Sequence, residues 1–238
     1  MKTEEFEAKV RTLEETIEKL EKQEKKSAKT IKQLETRIMR AEDVEAIKKL
    51  QRAYGFYLEH WEEDHLIGLF SKREDVTIEI NDSGEFRGQQ GVKQCYVFGD
   101  HYTAYSGQKT APPEYLHLMV PISGIVDVAP DGKTAQGRWY GTFHGALPRG
   151  GKLRALIGYG IWEMDYIKED GVWKIWKLLF YDIFSSPIEE GWVKTPFINN
   201  PPAKVRPPAV RGKDMRPYPS GYILAYHYKN PVTGKLSR

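Results

Sequence analysis

Apolar residues in the first forty positions fall on one stripe. Phe6, Val10, Leu13, Ile17, Leu20, Glu24, Ser27, Ile31, Leu34, Ile38 and Ala41 follow one another at alternating steps of four and three, and eight of these eleven are large and apolar. That spacing holds one face of a helix in line over many turns. With Val10, Ile17, Ile31 and Ile38 at a and Leu13, Leu20 and Leu34 at d, it is a heptad repeat. The flanks are almost all Glu, Lys and Gln, without Pro or Gly. A stripe this narrow suits burial against copies of itself, so residues 1–42 are expected to form a coiled-coil oligomerisation helix. Glu24 and Ser27 interrupt the seam. β-Branched a with Leu d suits a parallel dimer, whereas Lys9 and Arg37 at g with Glu14 and Glu42 at e also suit three strands.

The register slips at Glu42-Asp43-Val44-Glu45, after which Val44, Ile47, Leu50, Tyr54 and Leu58 keep helical spacing. Asp43 can cap a new helix over about 43–60, followed by a second over about 62–71. Alternation then predicts a strand at 76–80, a turn at 81–84, a short strand at 86–88 and a helix at 91–99. Long strands are expected over 116–128 (with a bulge around Pro121–Gly124), 134–143, 153–168 and 172–184, joined by turns at Asp131-Gly132, Pro148–Gly151 and Asp170-Gly171. Helices grouped before a meander of strands predict an α+β domain over 43–187. It should be a cone-shaped, curved antiparallel sheet whose concave face is covered by the helices. From Pro187 onward nine of the fourteen prolines occur, so 188–238 is expected to be an extended proline-rich C-terminal arm. Its Tyr218, Tyr222, Tyr226, His227 and Tyr228 are too aromatic for a plain linker, and it should be ordered by wrapping a surface, its own or a neighbour's; these tyrosines could also close the mouth of the cone.

Charge adds little to this picture. The chain carries a net +3 over 238 residues. Residues 1–43 are neutral, 44–187 carry −3 and the arm carries +6. That is too modest for a nucleic-acid partner. The single cysteine, Cys95, excludes an intrachain disulfide and CxxC zinc sites and fits a reducing compartment. A charged N-terminus and the lack of a long apolar run predict a cytoplasmic protein with no membrane partner. Walker, GxGxxG, HExxH and GxSxG motifs are missing. The six histidines show no metal-ligand spacing, so no metal and no cofactor are expected. Among candidate chemical groups, His117 opens a long strand and Glu59 flanks the Leu50, Tyr54, Leu58 stripe. Glu59 either marks the helix edge or points into a cavity, while Tyr54 taken alone reads as core. Numerous rings (Tyr57, Trp61, Phe98, Tyr102, Tyr105, Tyr115, Trp139, Phe143 and others) suit a largely apolar, ring-containing substrate with a few hydroxyls.

Four stretches, Asp43-Val44-Glu45-Ala46-Ile47-Lys48-Lys49-Leu50 with Tyr54 and Leu58-Glu59, the strand from His117, Thr134 to Tyr140, and Asp170 to Ile175, together resemble SnoaL-like proteins of the nuclear-transport-factor-two-like superfamily. The resemblance covers about 43–187. It implies a cystatin-like roll, and its enzymes include bile-acid dehydratase, hexachlorocyclohexane dehydrochlorinase, scytalone dehydratase and lyases that deformylate lignin-derived diarylpropanes. In such dehydratases a strand histidine is the base and a helix carboxylate orients it, which carries over to His117, Glu59 and Tyr54, with Glu in place of the usual Asp. The last-strand Arg of some relatives falls on Asp182 or Leu179. Relatives with this pattern are commonly trimeric, which favours a homotrimer over a dimer.

Elimination needs a base near pKa 7, and histidine's ordinary value of about 6.5 suits it. A carboxylate on Nδ1 fixes the tautomer, leaves Nε2 to accept the proton and stabilises the imidazolium that forms, while a tyrosine in an apolar pocket can donate to the departing oxygen. The expectation is a cofactor-independent lyase of aromatic-compound catabolism. His117, Glu59 and Tyr54 are its catalytic groups, and Trp139, Tyr57, Phe143, Asp182 and Tyr115 line the substrate. The reaction is dehydration or carbon–carbon cleavage such as loss of formaldehyde. The alternatives are a binding or assembly module, or an isomerase using the same groups.

Overall fold

The computed structural model describes residues 2–80, 84–97, 105–149, 151–196 and 216–236. The expected turn at 81–84, Phe98, His101 and Tyr102, part of the turn at 148–151 and the arm over 197–215 therefore fall wholly or partly outside the described residues. Two compact units are present, Met1–Glu42 and Asp43–Arg238.

A single helix, α1, runs Lys2–Glu59. Asp43 does not start a new helix. Nothing between 42 and 45 breaks the backbone, and the Asp43 carboxylate instead accepts hydrogen bonds from Lys168 Nζ (2.5 Å) and Trp173 Nε1 (2.8 Å). What changes at this point is burial. In the first unit the stripe from Phe6 to Ile38 stays exposed, between 37% at Val10 and 67% at Phe6. In the second unit Ile47, Gln51, Tyr54 and Leu58, at steps of four, three and four, are buried. The helix ends in a Schellman-type turn in which Glu62 N–H donates to the Tyr57 carbonyl (3.0 Å). Trp61 occupies the position usually given to Gly there, at φ 58°. A bulky side chain in the left-handed region stores strain that its packing must offset.

The remaining elements are α2 (Glu63–Gly68), β1 (Thr77–Ile80), β2 (Gly84–Arg87), α3 (Gly88–Cys95), β3 (Leu116–Val128), β4 (Thr134–Arg149), β5 (Lys152–Glu169), β6 (Val172–Pro187) and α4 (Gly191–Lys194). The six strands form one sheet in the order β2-β1-β6-β5-β4-β3. β3 to β6 make the expected antiparallel meander, with β4 and β6 longer than alternation suggested. Asp170 and Gly171, at φ 49° and 80°, supply the two positive dihedrals of the β5–β6 hairpin. The β3 bulge lies between Ile122 and Ile125, inside the range expected. One pair departs from the antiparallel pattern: β1 runs parallel to β6, Thr77 opposite Lys177 through Ile80 opposite Phe180. The fold is thus mixed α+β, with a curled, open six-stranded sheet and a long N-terminal helix.

β5 alternates strictly. Leu156, Trp162, Met164 and Tyr166 are buried on the inner face, where they meet Ile47, Tyr54 and Leu58 of α1 and Val92, Cys95 and Tyr96 of α3 and its end. α1 comes very close to β3, since a Cβ at Gly55 would lie 2.7 Å from the Met119 carbonyl oxygen. Glycines also flatten the sheet floor. A side chain at Gly141 would sit 2.7 Å from the Trp162 ring and one at Gly160 2.4 Å from the Phe180 ring, so both rings lie down on the strands.

The described part of the arm lies on the outer face. The Tyr218 amide donates to the Ile183 carbonyl (2.8 Å), Tyr181 Oη donates to the Arg216 carbonyl (2.9 Å), and the Tyr181 and Tyr222 rings meet at 5.1 Å. Arg138, opposite Glu163 in the β4–β5 register, bonds Glu163 through Nε (2.5 Å) and donates to the carbonyls of Leu224 and Ala225. Its guanidinium lies under the Tyr226 ring at 4.7 Å. Glu163 also meets His227 Nδ1. Residues 216–228 thus cover the side of the sheet away from His117 and do not close a mouth on the inner face.

Candidate active site

β3 carries His117 on the inner face. Its register partner on β4 is Gly145 and the next inner pair is Met119 with Phe143. Gly145 leaves the floor bare, and the Phe143 ring crosses that gap, within 2.5 Å of where a Cβ would stand. The imidazole meets Phe143 edge-on, with centroids 5.1 Å apart at 88°. Tyr115, two residues earlier, reaches forward to place Oη 2.9 Å from His117 Nδ1. Tyr115 is itself held in a nest of edge-on rings, Trp61 at 5.0 Å and Tyr105 at 6.0 Å, all three buried. The strained Trp61 at the end of α1 therefore braces the ring that holds the histidine. His117 is half-buried at the edge of this nest.

The Tyr115 contact fixes which chemistry each nitrogen can do. A phenol both donates and accepts. With Nδ1–H donating to Tyr115, Nε2 keeps its lone pair and is a base; once Nε2 has taken a proton, the imidazolium still donates Nδ1–H to Tyr115 and its Nε2–H is the acid. One hydrogen bond serves both halves of a proton-transfer cycle.

The other expected site residues have their own partners. Tyr54 is core. Its ring meets Phe70, Tyr96 and Trp162 edge-on, and its Oη lies 3.0 Å from Tyr96 Oη. Burial pushes both phenols well above their ordinary value near 10, so they stay neutral. The half-buried Glu59 carboxylate is 4.0 Å from Nε2 of exposed His60, and among the described residues no hydrogen bond joins it to His117. Tyr57 stacks on His65 at 5.4 Å. Trp139 is buried and its Nε1 donates to Tyr166 Oη (3.0 Å), which donates to Gln51 Oε1 (2.8 Å). Asp182 stands on β6 opposite Gly160 and faces inward, half-buried, whereas Leu179 pairs with Glu163 on the outer register. Of the eight, His117, Tyr115 and Phe143 come together. Trp61 and Tyr105, named from sequence only among the many rings suited to an apolar substrate, join them. Among the described residues no three His, Cys, Asp or Glu side chains gather as metal ligands, and no helix is long and apolar enough to cross a membrane.

The model of the SnoaL-like domain family matches residues 39–178. No curated protein matches the chain by sequence. Among solved structures, LinA aligns with a TM-score of 0.53 at 15% identity, over 64% of this chain and 94% of that one. A hexachlorocyclohexane dehydrochlorinase, LinA-type3 from Novosphingobium barchaimii, aligns at 0.51 with 16% identity, over 63% and 93%. A scytalone dehydratase-like protein from Novosphingobium aromaticivorans aligns at 0.51 with 14% identity, over 74% and 98%. At such identities the likeness is one of fold. The family match takes in all of α1's buried half and β1 to β5, the part of the chain that carries His117 and its nest, and by it the chain belongs to the SnoaL-like domain family.

Proposed function

We propose that this protein is a cofactor-independent lyase that removes water from a ring-containing, hydroxylated compound. The observation that carries the reading is the hydrogen bond between His117 Nδ1 and Tyr115 Oη at the edge of an aromatic nest. Nε2 of His117 takes a proton from the carbon next to the one bearing the hydroxyl. The electron pair of the broken C–H bond becomes the new double bond and the carbon–oxygen bond breaks. The imidazolium, steadied through Tyr115, passes the same proton from Nε2 to the departing hydroxyl, which leaves as water and returns His117 to its base form. Phe143 supplies a ring face for the substrate, Trp61 braces Tyr115 from within the nest, and Asp182 is the inward carboxylate nearest in kind to a second acid. The dehydrochlorinase and dehydratase names borne by two structural neighbours support an elimination, and aromatic catabolism is the setting that the ring-lined site suits. Tyr115 takes the orienting part first expected of Glu59, and Tyr54 serves the core.

The test is turnover of a panel of aromatic and alicyclic alcohols, followed by the absorbance of the new conjugated bond. His117→Ala should lower kcat by at least about 10²-fold, in line with the loss of one proton transfer. Tyr115→Phe should lower kcat less and displace its pH profile, and Glu59→Gln should leave both nearly unchanged. Full turnover in His117→Ala refutes the assignment. Saturable binding without turnover by the unmodified protein makes the site a binding module.

A further inference from the structure

The apolar stripe of α1 from Phe6 to Ile38 is exposed in the chain by itself, with Leu13, Ile17, Leu20, Ile31 and Ile38 each more than half accessible. The positions beside it carry an ordered set of charges. In the register with Val10 at a, the e positions are Glu14, Glu21, Ala28, Glu35 and Glu42, and the g positions are Lys9, Thr16, Gln23, Thr30 and Arg37. We infer that this face is the seam of a parallel, in-register coiled coil between copies of this chain.

Orientation follows from the flanks. In a parallel coil each g side chain meets the e side chain five residues later on the neighbouring strand. That sets Lys9 against Glu14 and Arg37 against Glu42, two pairs of opposite charge. The other three, Thr16 with Glu21, Gln23 with Ala28 and Thr30 with Glu35, contain no like charges. In an antiparallel coil with the same residues overlapped, e meets e and g meets g. Glu14 then faces Glu42, Glu21 faces Glu35, and Lys9 faces Arg37, so every charged contact is repulsive. One contact weighs the other way: Glu24 meets its own copy in the parallel seam and Ser27 in the antiparallel one. It is a single layer against three kinds of like-charge pair. Glu24 and Ser27 also set the register. A slip of one heptad would place Glu24 against Ile17 or Ile31 and Ser27 against Leu20 or Leu34, burying a charge against apolar side chains. Only the unslipped alignment keeps the polar layers together and matches all eight apolar positions.

The full-length protein tests this directly. Sedimentation should give a mass of two or three chains, and Leu13→Glu combined with Ile31→Glu should bring it to one. Lys9→Glu separates the orientations by sign. It places Glu against Glu14 in a parallel coil and raises the dissociation constant, whereas in an antiparallel coil it would face Arg37 and lower it. Leu13→Cys should cross-link under mild oxidation, because in-register strands bring the two introduced thiols together while Cys95 stays buried. A monomeric full-length chain, an oligomer indifferent to the paired glutamates, tighter association of Lys9→Glu, or an oligomer in which Leu13→Cys fails to cross-link would each overturn the inference.

Discussion

Single side chains in this domain are decided by what stands opposite them. His117 is oriented by its setting: Gly145 faces it and Tyr115 holds its Nδ1. Tyr54, expected as a catalytic group through the family resemblance although taken alone it reads as core, turns its hydroxyl to Tyr96. Removing Tyr96's hydroxyl leaves that of Tyr54 buried without its partner. Tyr96→Phe is therefore expected to cost about 1–3 kcal/mol in denaturant unfolding. The same pair makes a statement about pH. Burial holds the phenols of Tyr54, Tyr96 and Tyr166 above their ordinary value near 10. Below that value folded and unfolded chains are equally protonated at these groups, and their contribution to stability is intact. As pH rises past it, the unfolded chain gives up protons that the folded chain keeps, and stability falls. Tyrosinate absorbance from these residues should therefore appear together with unfolding. Separate, early ionisation would contradict the burial argument.

At the level of elements, the strand pattern was legible wherever alternation met an unambiguous turn. β5, bounded by the Asp170-Gly171 hairpin, and the β3 bulge stand where period-two reasoning put them. Helix boundaries were less legible, because Asp43 can cap a helix or accept from Lys168 and Trp173, and only the tertiary partners choose between the two. The partner of His117 was hidden for a similar reason. A carboxylate five residues after Tyr54 looked apt, yet the contact is made by Tyr115, which stands just before β3 and two positions ahead of His117, where strand periodicity says nothing of a ring that reaches forward. Nor did the arm's composition say which face it would cover. Its fastening is Arg138, whose side chain is spent on Glu163 and two carbonyls of the arm. Arg138→Ala should speed tryptic cleavage at Lys229 while the domain's near-ultraviolet circular dichroism stays unchanged. An unaltered cleavage rate would mean that the arm is held mainly by its tyrosines.

At the scale of the whole molecule, the buried core of the second unit begins, among the described residues, at Ile47. A protein starting at Asp43 should keep its folded signature and its turnover, and show a denaturant midpoint close to that of the full chain at low concentration. Loss of folding in that shortened protein would show that the first unit does more than its exposed stripe suggests. The sheet itself is assembled out of chain order. β1 takes its second neighbour from β6, one hundred positions later, through the parallel pairing of Thr77 with Lys177. On the ribosome, where the N-terminal portion emerges first, Ile78 has β2 on one side and nothing on the other until nearly all of the domain has been translated. The nascent domain therefore spends most of its synthesis with an open strand edge, closes late and in one step, and makes the last hairpin, not the first helix, the event that commits it to its native form.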